Sequence, residues 1–185
     1  AKSEPFVHDL QTMTGIWQGY YGGPEPADLA TKTAIDRQMA TELLDKVSQV
    51  PSGFHVNKKI ARVLEDRRDM ATGKAKLDWS AGEVLAFGSL AVEGHPIRLS
   101  GQDVERGTFS HRHAVLHDVD NNARFMAMGH LRQGQARVEI VNSPLSEAAV
   151  LGFEYGYSLD CPEGLVMWEA QFGDFWNCLL YTSPS

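Results

Sequence analysis

Residues 79–92 limit how this chain can fold more than any other segment, because they predict a helix that is apolar on nearly every side. Asp78 precedes the segment and can accept hydrogen bonds from the free N–H groups of a first turn, and Gly94 follows it as a terminator. Such a helix must be buried on several sides. Short apolar segments and helices alternate after it, which predicts an α/β fold with a mainly parallel sheet flanked by helices.

The other elements follow from apolar spacing and from turn residues. Residues 35–50 predict a helix, and a second one begins after the cap Asn57, with a basic face (Arg67 and Arg68 included) that we expect to be solvated. Later segments predict strands at 97–100, 124–128, 137–141 and 165–170, helices at 111–116 and 146–159, and a turn at 173–175. The first thirty or so residues predict loops and short turns.

Charge and composition exclude several classes of protein. The formal net charge is −7, which argues against a general nucleic-acid-binding surface. The two cysteines, Cys161 and Cys178, form no disulfide framework. No apolar run reaches the ~20 residues that a membrane span needs. We therefore expect a soluble intracellular protein without a membrane or nucleic-acid partner.

The two ends suggest a piece of a longer protein. The chain begins with Ala1, and its last eight residues, 178–185, resemble translated adaptor sequence. A natural C-terminal strand is the alternative interpretation. We expect three parts: loops and a helical connector over 1–76, a partial domain over 77–177, and a non-native tail over 178–185.

Three segments carry residues suited to chemistry. Residues 101–113 place His111, His113, Arg106 and Arg112 just after a predicted strand, where open α/β sheets bind ligands. The two arginines suit a pocket for a carboxylate substrate, because guanidinium groups bind carboxylates bidentately. Residues 143–147 bring a glutamate into a first helical turn, where it could also simply complement the helix dipole. Residues 168–175 follow another strand, and their two phenylalanines could equally be core.

A metal site is the alternative explanation for the histidines. His113 and His117 have the spacing of one helical face, and His111 lies close by. No nearby carboxylate or cysteine completes a set of three or four ligands. We therefore predict no metal ligand in this chain.

The three segments together resemble the E1 components of 2-oxoglutarate dehydrogenase. The similar stretches read LSGQD through HRH over 99–113, SEAAVLGFEYG over 146–156 and WEAQFGDF over 168–175, in the family's order and spacing. Residues 77–177 resemble the transketolase-like pyrimidine-binding domain of that family, and the preceding residues resemble its helical connection more weakly. Residues 124–128 and Trp176 depart from the family's pattern.

The resemblance implies a thiamine-diphosphate enzyme of the bacterial cytoplasm, or of the mitochondrial matrix in a eukaryote. Such enzymes bind the cofactor between the two subunits of a homodimer, decarboxylate 2-oxoglutarate and pass the succinyl group to a lipoyl-bearing E2 partner. The diphosphate and Mg²⁺ belong to a domain with a Gly-Asp-Gly motif that this chain lacks; Gly173-Asp174-Phe175 is not that motif. We expect the chain alone to be inactive.

The resemblance also assigns roles to single residues. Glu147 matches the glutamate that hydrogen-bonds the pyrimidine N1′ of the cofactor, and Gln171, Phe172 and Phe175 would line the pyrimidine pocket. His113 matches the histidine that reaches the substrate, with His111 beside it. The substrate-binding set would then be His111, His113 and Arg112.

Four other functions remain open from the sequence. An E1 component for 2-oxoadipate and a simple 2-oxoglutarate decarboxylase would share Glu147 and differ in their substrate pockets. A noncatalytic scaffold is a third possibility, although Glu147 and both histidines argue against it. A hydrolase that binds a metal through residues 111–117 is the fourth.

Overall fold

The fold is α/β and is described by a computed structural model over residues 14–20, 33–145 and 147–176. Its elements in chain order are a 3-10 helix Gly15–Trp17, α1 Arg37–Val47, α2 Lys58–Thr72, α3 Trp79–Glu93, β1 Ile97–Gly101, β2 Leu116–His117, β3 Arg124–Phe125, a 3-10 helix Ala127–His130, β4 Val138–Asn142, α4 Glu147–Leu159, β5 Leu165–Glu169 and α5 Phe172–Trp176. Residues 178–185 lie outside the described part, and so does most of the predicted N-terminal loop region.

A three-stranded parallel sheet with the order β4–β1–β5 confirms the predicted architecture. The last residue of β1, Gly101, is level with Asn142 of β4 on one side and with Glu169 of β5 on the other. The carboxyl ends of the three strands therefore form one edge. A separate antiparallel ladder joins β2 to β3.

The apolar helix α3 forms as its sequence predicts. The side chain of Asp78 accepts a hydrogen bond from Ala81 N at 2.7 Å, and Gly94 ends the helix with φ 101°. Buried residues of α3 pack into one core with α1 and the inward side chains of β1 and β4; these core residues include Leu43, Leu44, Val47, Ala81, Val84, Phe87, Ala91, Ile97, Leu99, Val138 and Ile140. The helical connector predicted over 1–76 thus contributes α1 to the same core as the sheet.

Helix α4 lies against the opposite face of the sheet. Successive side chains of a strand point to opposite faces, and Arg98 of β1 points away from the core. It donates two hydrogen bonds to Glu154 of α4, from Nε at 2.7 Å and from Nη2 at 2.8 Å. The sheet is therefore covered by helices on both faces, as an α/β layer requires.

Helix α2 has the predicted cap, but its basic face is not solvated throughout as predicted. Asn57 caps it by accepting a hydrogen bond from Lys59 N at 2.9 Å. Arg67, however, is 4% exposed and belongs to the interior. The amphipathic pattern identified the basic face but could not show that part of this face packs against another segment.

Several local predictions were wrong. Residues 111–115 form an irregular loop that leads into β2, because Arg106 O accepts hydrogen bonds from both Arg112 N and His113 N in place of a helical pattern. The strand predicted at 124–128 is only two residues long before a 3-10 helix begins. The turn predicted at 173–175 lies within α5, and β5 is half-buried where a buried strand was expected. No described helix has both the length and the apolar character that crossing a membrane requires.

Candidate functional site

The common edge of the three strands collects the segments that the sequence marked for chemistry. Residues 101–113, here called the histidine loop, leave the end of β1; residues 143–145 leave β4, with Glu147 at the start of α4; and residues 170–175 leave β5. Because neighbouring strands are about 4.8 Å apart, the exits of β4 and β5 are separated by roughly 10 Å across β1. Gly101 fits between them because a Cβ there would lie 2.5 Å from Glu169 O.

One cavity at this edge brings together five of the seven predicted site residues. It has a volume of about 350 Å³. Its lining residues are Glu83, Thr108, Phe109, His111, Arg112, Glu169, Ala170, Gln171, Phe172 and Phe175. His113 and Glu147 are the two predicted residues that do not line it.

Aromatic side chains form the open wall of this cavity. Phe172 is 80% exposed and Phe109 is 81% exposed, while Phe175 is 44% exposed. Large apolar side chains grouped at a cavity rim are typical of ligand or protein contact surfaces. The core interpretation of Phe172 and Phe175 is therefore wrong, and both present apolar surface to whatever enters.

Gln171 ties the segment after β5 to the histidine loop. Its Nε2 donates hydrogen bonds to Thr108 Oγ1 at 2.6 Å and to Gln102 O at 3.1 Å. Its backbone N–H donates to Asp174 Oδ2 at 2.7 Å, which closes the first turn of α5. The position of Gln171 at the cavity wall is thus fixed by the protein itself.

Arg112 has a different partner from the one predicted. All five of its N–H groups are used within the protein: Nε and Nη2 donate to Glu83, Nη1 and Nη2 to Glu169, and Nη1 to Val104 O. Although burial alone would lower its pKa, the hydrogen bonds that Arg112 donates to Glu83 and Glu169 raise the pKa of Arg112 above its ordinary value. The guanidinium, 3% exposed, fastens the loop to α3 and β5 and has no N–H left for a substrate carboxylate.

Sequence analysis missed Glu83 and Glu169 as members of the site. Both carboxylates flank the Arg112 guanidinium, with closest N–O distances of 2.5 Å each. The signal for Glu83 was present, because it is the only charged residue in the apolar stretch 79–92. A charge on a helix buried on several sides requires an ionic partner, and Arg112 is the partner it finds.

His111 lies over a glycine at the cavity wall. A Cβ on Gly107 would lie 2.5 Å from the Cε1 atom of the ring, so only glycine leaves room for the imidazole. Its Nε2 is 3.8 Å from Glu83 Oε2. Its Nδ1 is buried and has no hydrogen-bond partner among the described residues. His111 is thus the imidazole that shares a cavity with Phe172, Phe175 and Gln171.

His113 faces a second cavity, of about 540 Å³, on the other side of the loop. Glu105, Arg106 and His117 are among its lining residues. Ser110 Oγ lies 3.1 Å from the ring Nε2. Burial lowers the pKa of His113, and the positive charge of nearby Arg67 and Arg106 lowers it further, so the imidazole is neutral at pH 7.

Glu147 is the first residue of α4 and is half-buried. In the part of the chain that the structure describes, no hydrogen bond or ion pair holds its carboxylate. Its backbone is in the left-handed region, with φ 54°, as is that of His113, with φ 43°. Left-handed conformations cost about 1–3 kcal/mol in residues other than glycine and cluster at functional sites. The two residues predicted to act in catalysis share this strain.

The histidines at 111, 113 and 117 do not come together as a metal site. Within the described ranges, one group of three could offer ligand atoms to an ion, and it consists of His55, Asp118 and Asp120. Asp118 accepts hydrogen bonds from the backbone N–H groups of the other two, at 2.9 and 2.8 Å. These bonds and the 2.7 Å contact between His55 Nδ1 and Asp120 Oδ2 explain why the three side chains lie together.

Comparison with known proteins gives one domain family and a group of bacterial relatives. Residues 75–185 match the family model described as "Transketolase, pyrimidine binding domain". The chain is 54% identical over 164 residues to proteins of Brucella ovis and Brucella canis named "2-oxoglutarate dehydrogenase E1 component". The matched residues make up 86% of this chain and 16% of each relative. The chain therefore spans about one sixth of the length of these relatives.

Proposed function

The chain belongs to the transketolase pyrimidine-binding domain family, and from this premise we propose that it forms the pyrimidine-binding half of a thiamine diphosphate site in a 2-oxoglutarate dehydrogenase E1 component. One observation carries the proposal: the carboxyl edge of the parallel sheet combines an open aromatic wall, at Phe172 and Phe175, with a carboxylate at Glu147 that no described residue pairs with. A flat, weakly basic ring needs both features, an apolar surface and a hydrogen-bonding acid.

The residues present fit an aminopyrimidine ring. Phe172 and Phe175 offer exposed aromatic faces against which a planar ring can stack. Glu147 stands at the start of α4 with its carboxylate free of protein partners among the described residues. When bound, thiamine diphosphate supplies a nucleophilic carbon and an acceptor for the electrons released on decarboxylation.

Glu147 is proposed to hold a proton at a ring nitrogen of the cofactor. A carboxyl group at hydrogen-bond distance from such a nitrogen can share its proton, and exclusion of water strengthens that bond. Because the aromatic wall is exposed and Glu147 is only half-buried in this chain, a further surface must cover them for water to be excluded. The homodimer that we propose provides that cover.

His113 and His111 are proposed to bind the substrate. The neutral imidazole of His113 can donate to a keto oxygen or carboxylate from one ring nitrogen, and its lowered pKa keeps it in that form at pH 7. His111 faces the cavity that contains the aromatic wall. Arg112 has no role at the substrate in this proposal, because its donors are already used.

The remaining parts of the reaction belong to the longer protein. We propose 2-oxoglutarate as substrate, a lipoyl-bearing E2 as acceptor of the succinyl group, and a separate domain as the ligand of the diphosphate and Mg²⁺. We further propose that this chain alone does not catalyse the reaction, since it holds only one half of the cofactor site.

The test is a substitution of Glu147 in the complete E1 protein. Glu147→Gln and Glu147→Ala should each lower the rate of 2-oxoglutarate decarboxylation by ~10²–10⁴, the range for groups that transfer protons. Glu163→Gln, which changes an exposed carboxylate in the turn before β5, serves as the matched control and should leave the rate unchanged. Near-normal turnover in both Glu147 variants would remove this residue from the mechanism.

A further inference from the structure

Arg67 is a buried cation on α2 that contacts the histidine loop from 44 residues away in sequence. Its Nη2 lies 3.1 Å from His111 O and 2.5 Å from Arg112 O, so one nitrogen donates to both carbonyls. Ser80 of α3 joins the group: Arg67 Nη2 donates to Ser80 Oγ at 2.8 Å, and Ser80 Oγ donates to His111 O at 2.7 Å. Helices α2 and α3 thus hold the backbone of the histidine loop at the carbonyls of residues 111 and 112, next to the imidazoles of His111 and His113.

The interior position of Arg67 is costly. Burial lowers the pKa of its guanidinium, and only the more distant charges of Asp78 and Glu83 act in the opposite direction. No carboxylate within the described ranges forms an ion pair with it, and its Nε is buried without a hydrogen-bond partner there. A buried cation that is bound mainly by backbone carbonyls recovers only part of its desolvation cost.

The loop that Arg67 holds is under backbone strain. Ser110 and His113 have φ values of 54° and 43°, on either side of the two carbonyls that Arg67 binds. Strained residues persist only where surrounding contacts fix them. The side chain of Arg112 fixes the loop to α3 and β5, while Arg67 of α2 holds the main chain of the loop.

We propose that Arg67 is a positioning residue whose guanidinium, by holding the carbonyls of His111 and Arg112, orients the imidazoles of His111 and His113 towards their two cavities. The proposal rests on the proposed function in that these imidazoles are taken to bind the substrate. It extends the site from the sheet edge to α2, in the part of the chain predicted to be only a connector.

The first test follows the histidine rings of the full chain by NMR as the pH is changed. Arg67→Met removes both the charge and the hydrogen bonds, so the pKa of His113 should rise and the ring signals of His111 and His113 should shift. Arg67→Lys keeps the charge but cannot hold both carbonyls as a planar guanidinium does; the ring signals should still shift, while the pKa of His113 stays near its original value. Arg67→Lys decides the matter if Arg67→Met does not fold.

Arg68 gives a matched control on the same helix. Its Nη2 also donates to a backbone carbonyl, Ser48 O at 2.6 Å, but at the end of α1 and away from the loop. Arg68→Met should leave the ring signals of both histidines and the pKa of His113 unchanged. Unchanged ring signals in folded Arg67→Lys, or equal changes in Arg68→Met, would overturn the positioning role.

The second test measures steady-state kinetics in the complete E1 protein. Arg67→Lys should lower kcat/KM for 2-oxoglutarate by about 10²-fold, the cost of a misplacement near 1 Å, while Arg68→Met should not. The two proposals fail separately: an unaltered E1 protein without activity on 2-oxoglutarate refutes the proposed function, and the NMR titrations still decide the role of Arg67. Unchanged kcat/KM in an active Arg67→Lys enzyme refutes the positioning role alone.

Discussion

The ion-pair network of Arg112 gives the sharpest prediction for stability. In Arg112→Met, the carboxylates of Glu83 and Glu169 would lose the cation between them, and Val104 O would lose a donor. Removing one partner of a buried ion pair costs about 3–5 kcal/mol. Because the two carboxylates are 22% and 24% exposed and can recruit water, we expect the lower end, about 3 kcal/mol. That is a large share of the ~5–15 kcal/mol that stabilises a typical domain.

The measurement is urea denaturation of the full chain, followed by circular dichroism. Arg132→Met is the control, because Arg132 is exposed and should change the free energy of unfolding by less than about 0.5 kcal/mol. Adding Glu83→Gln and Glu169→Gln to Arg112→Met should recover part of the loss, since no unpaired charge then remains. A loss below about 1 kcal/mol in Arg112→Met would show that the network behaves like a surface ion pair, and the argument that it fixes the loop would fail.

The remaining predictions concern the sheet edge and its pH dependence. Gly101→Ala should destabilise the chain by at least about 2 kcal/mol, because φ is 149° and the new Cβ would lie 2.5 Å from Glu169 O. The control is Gly82→Ala on the exposed side of α3, where a new Cβ meets nothing within 4 Å, and it should be neutral or stabilising. Equal losses of stability in the two variants would contradict the steric explanation. The lowered pKa of His113 means that the unfolded state binds more protons below pH ~6.5. The free energy of unfolding should therefore fall as the pH drops through 6.5 towards the lower folded pKa, and this fall should be weaker in His113→Gln. Equal free energies of unfolding at pH 7.5 and 5.5, measured by urea denaturation, would exclude the effect.

The elements that follow from local chemistry were predictable from the sequence. Asp78 and Gly94 fix both ends of α3 through caps that require only nearby residues, and the helix forms within one residue of its predicted end. The parallel sheet follows from the alternation of apolar strands and helices, and its edge brings the three marked segments together. The caps are set by a short window of sequence, and the sheet by the order of apolar segments along the chain.

The features that were missed depend on contacts distant in sequence. Glu83 and Arg112 are 29 residues apart, and Arg67 is 45 residues from the carbonyl of Arg112 that it binds. The spacing of apolar residues along the sequence cannot predict such a pairing. Residues 111–116 were wrongly predicted to be helical: their composition permits a helix, but Arg106 O accepts hydrogen bonds from Arg112 N and His113 N and holds the segment as a loop before β2.

The two sides of the proposed site differ in how firmly this chain holds them. The histidine loop is fixed by two buried arginines and by Gln171, so its imidazoles are already in position. Glu147 and the aromatic wall, in contrast, are open to solvent or without a protein partner among the described residues. Preorganised groups bind and stabilise charge without reorganisation, whereas a proton-sharing acid gains strength only when water is excluded. We infer that the substrate-binding side is completed by folding, and that the cofactor side is completed by the second surface that covers it.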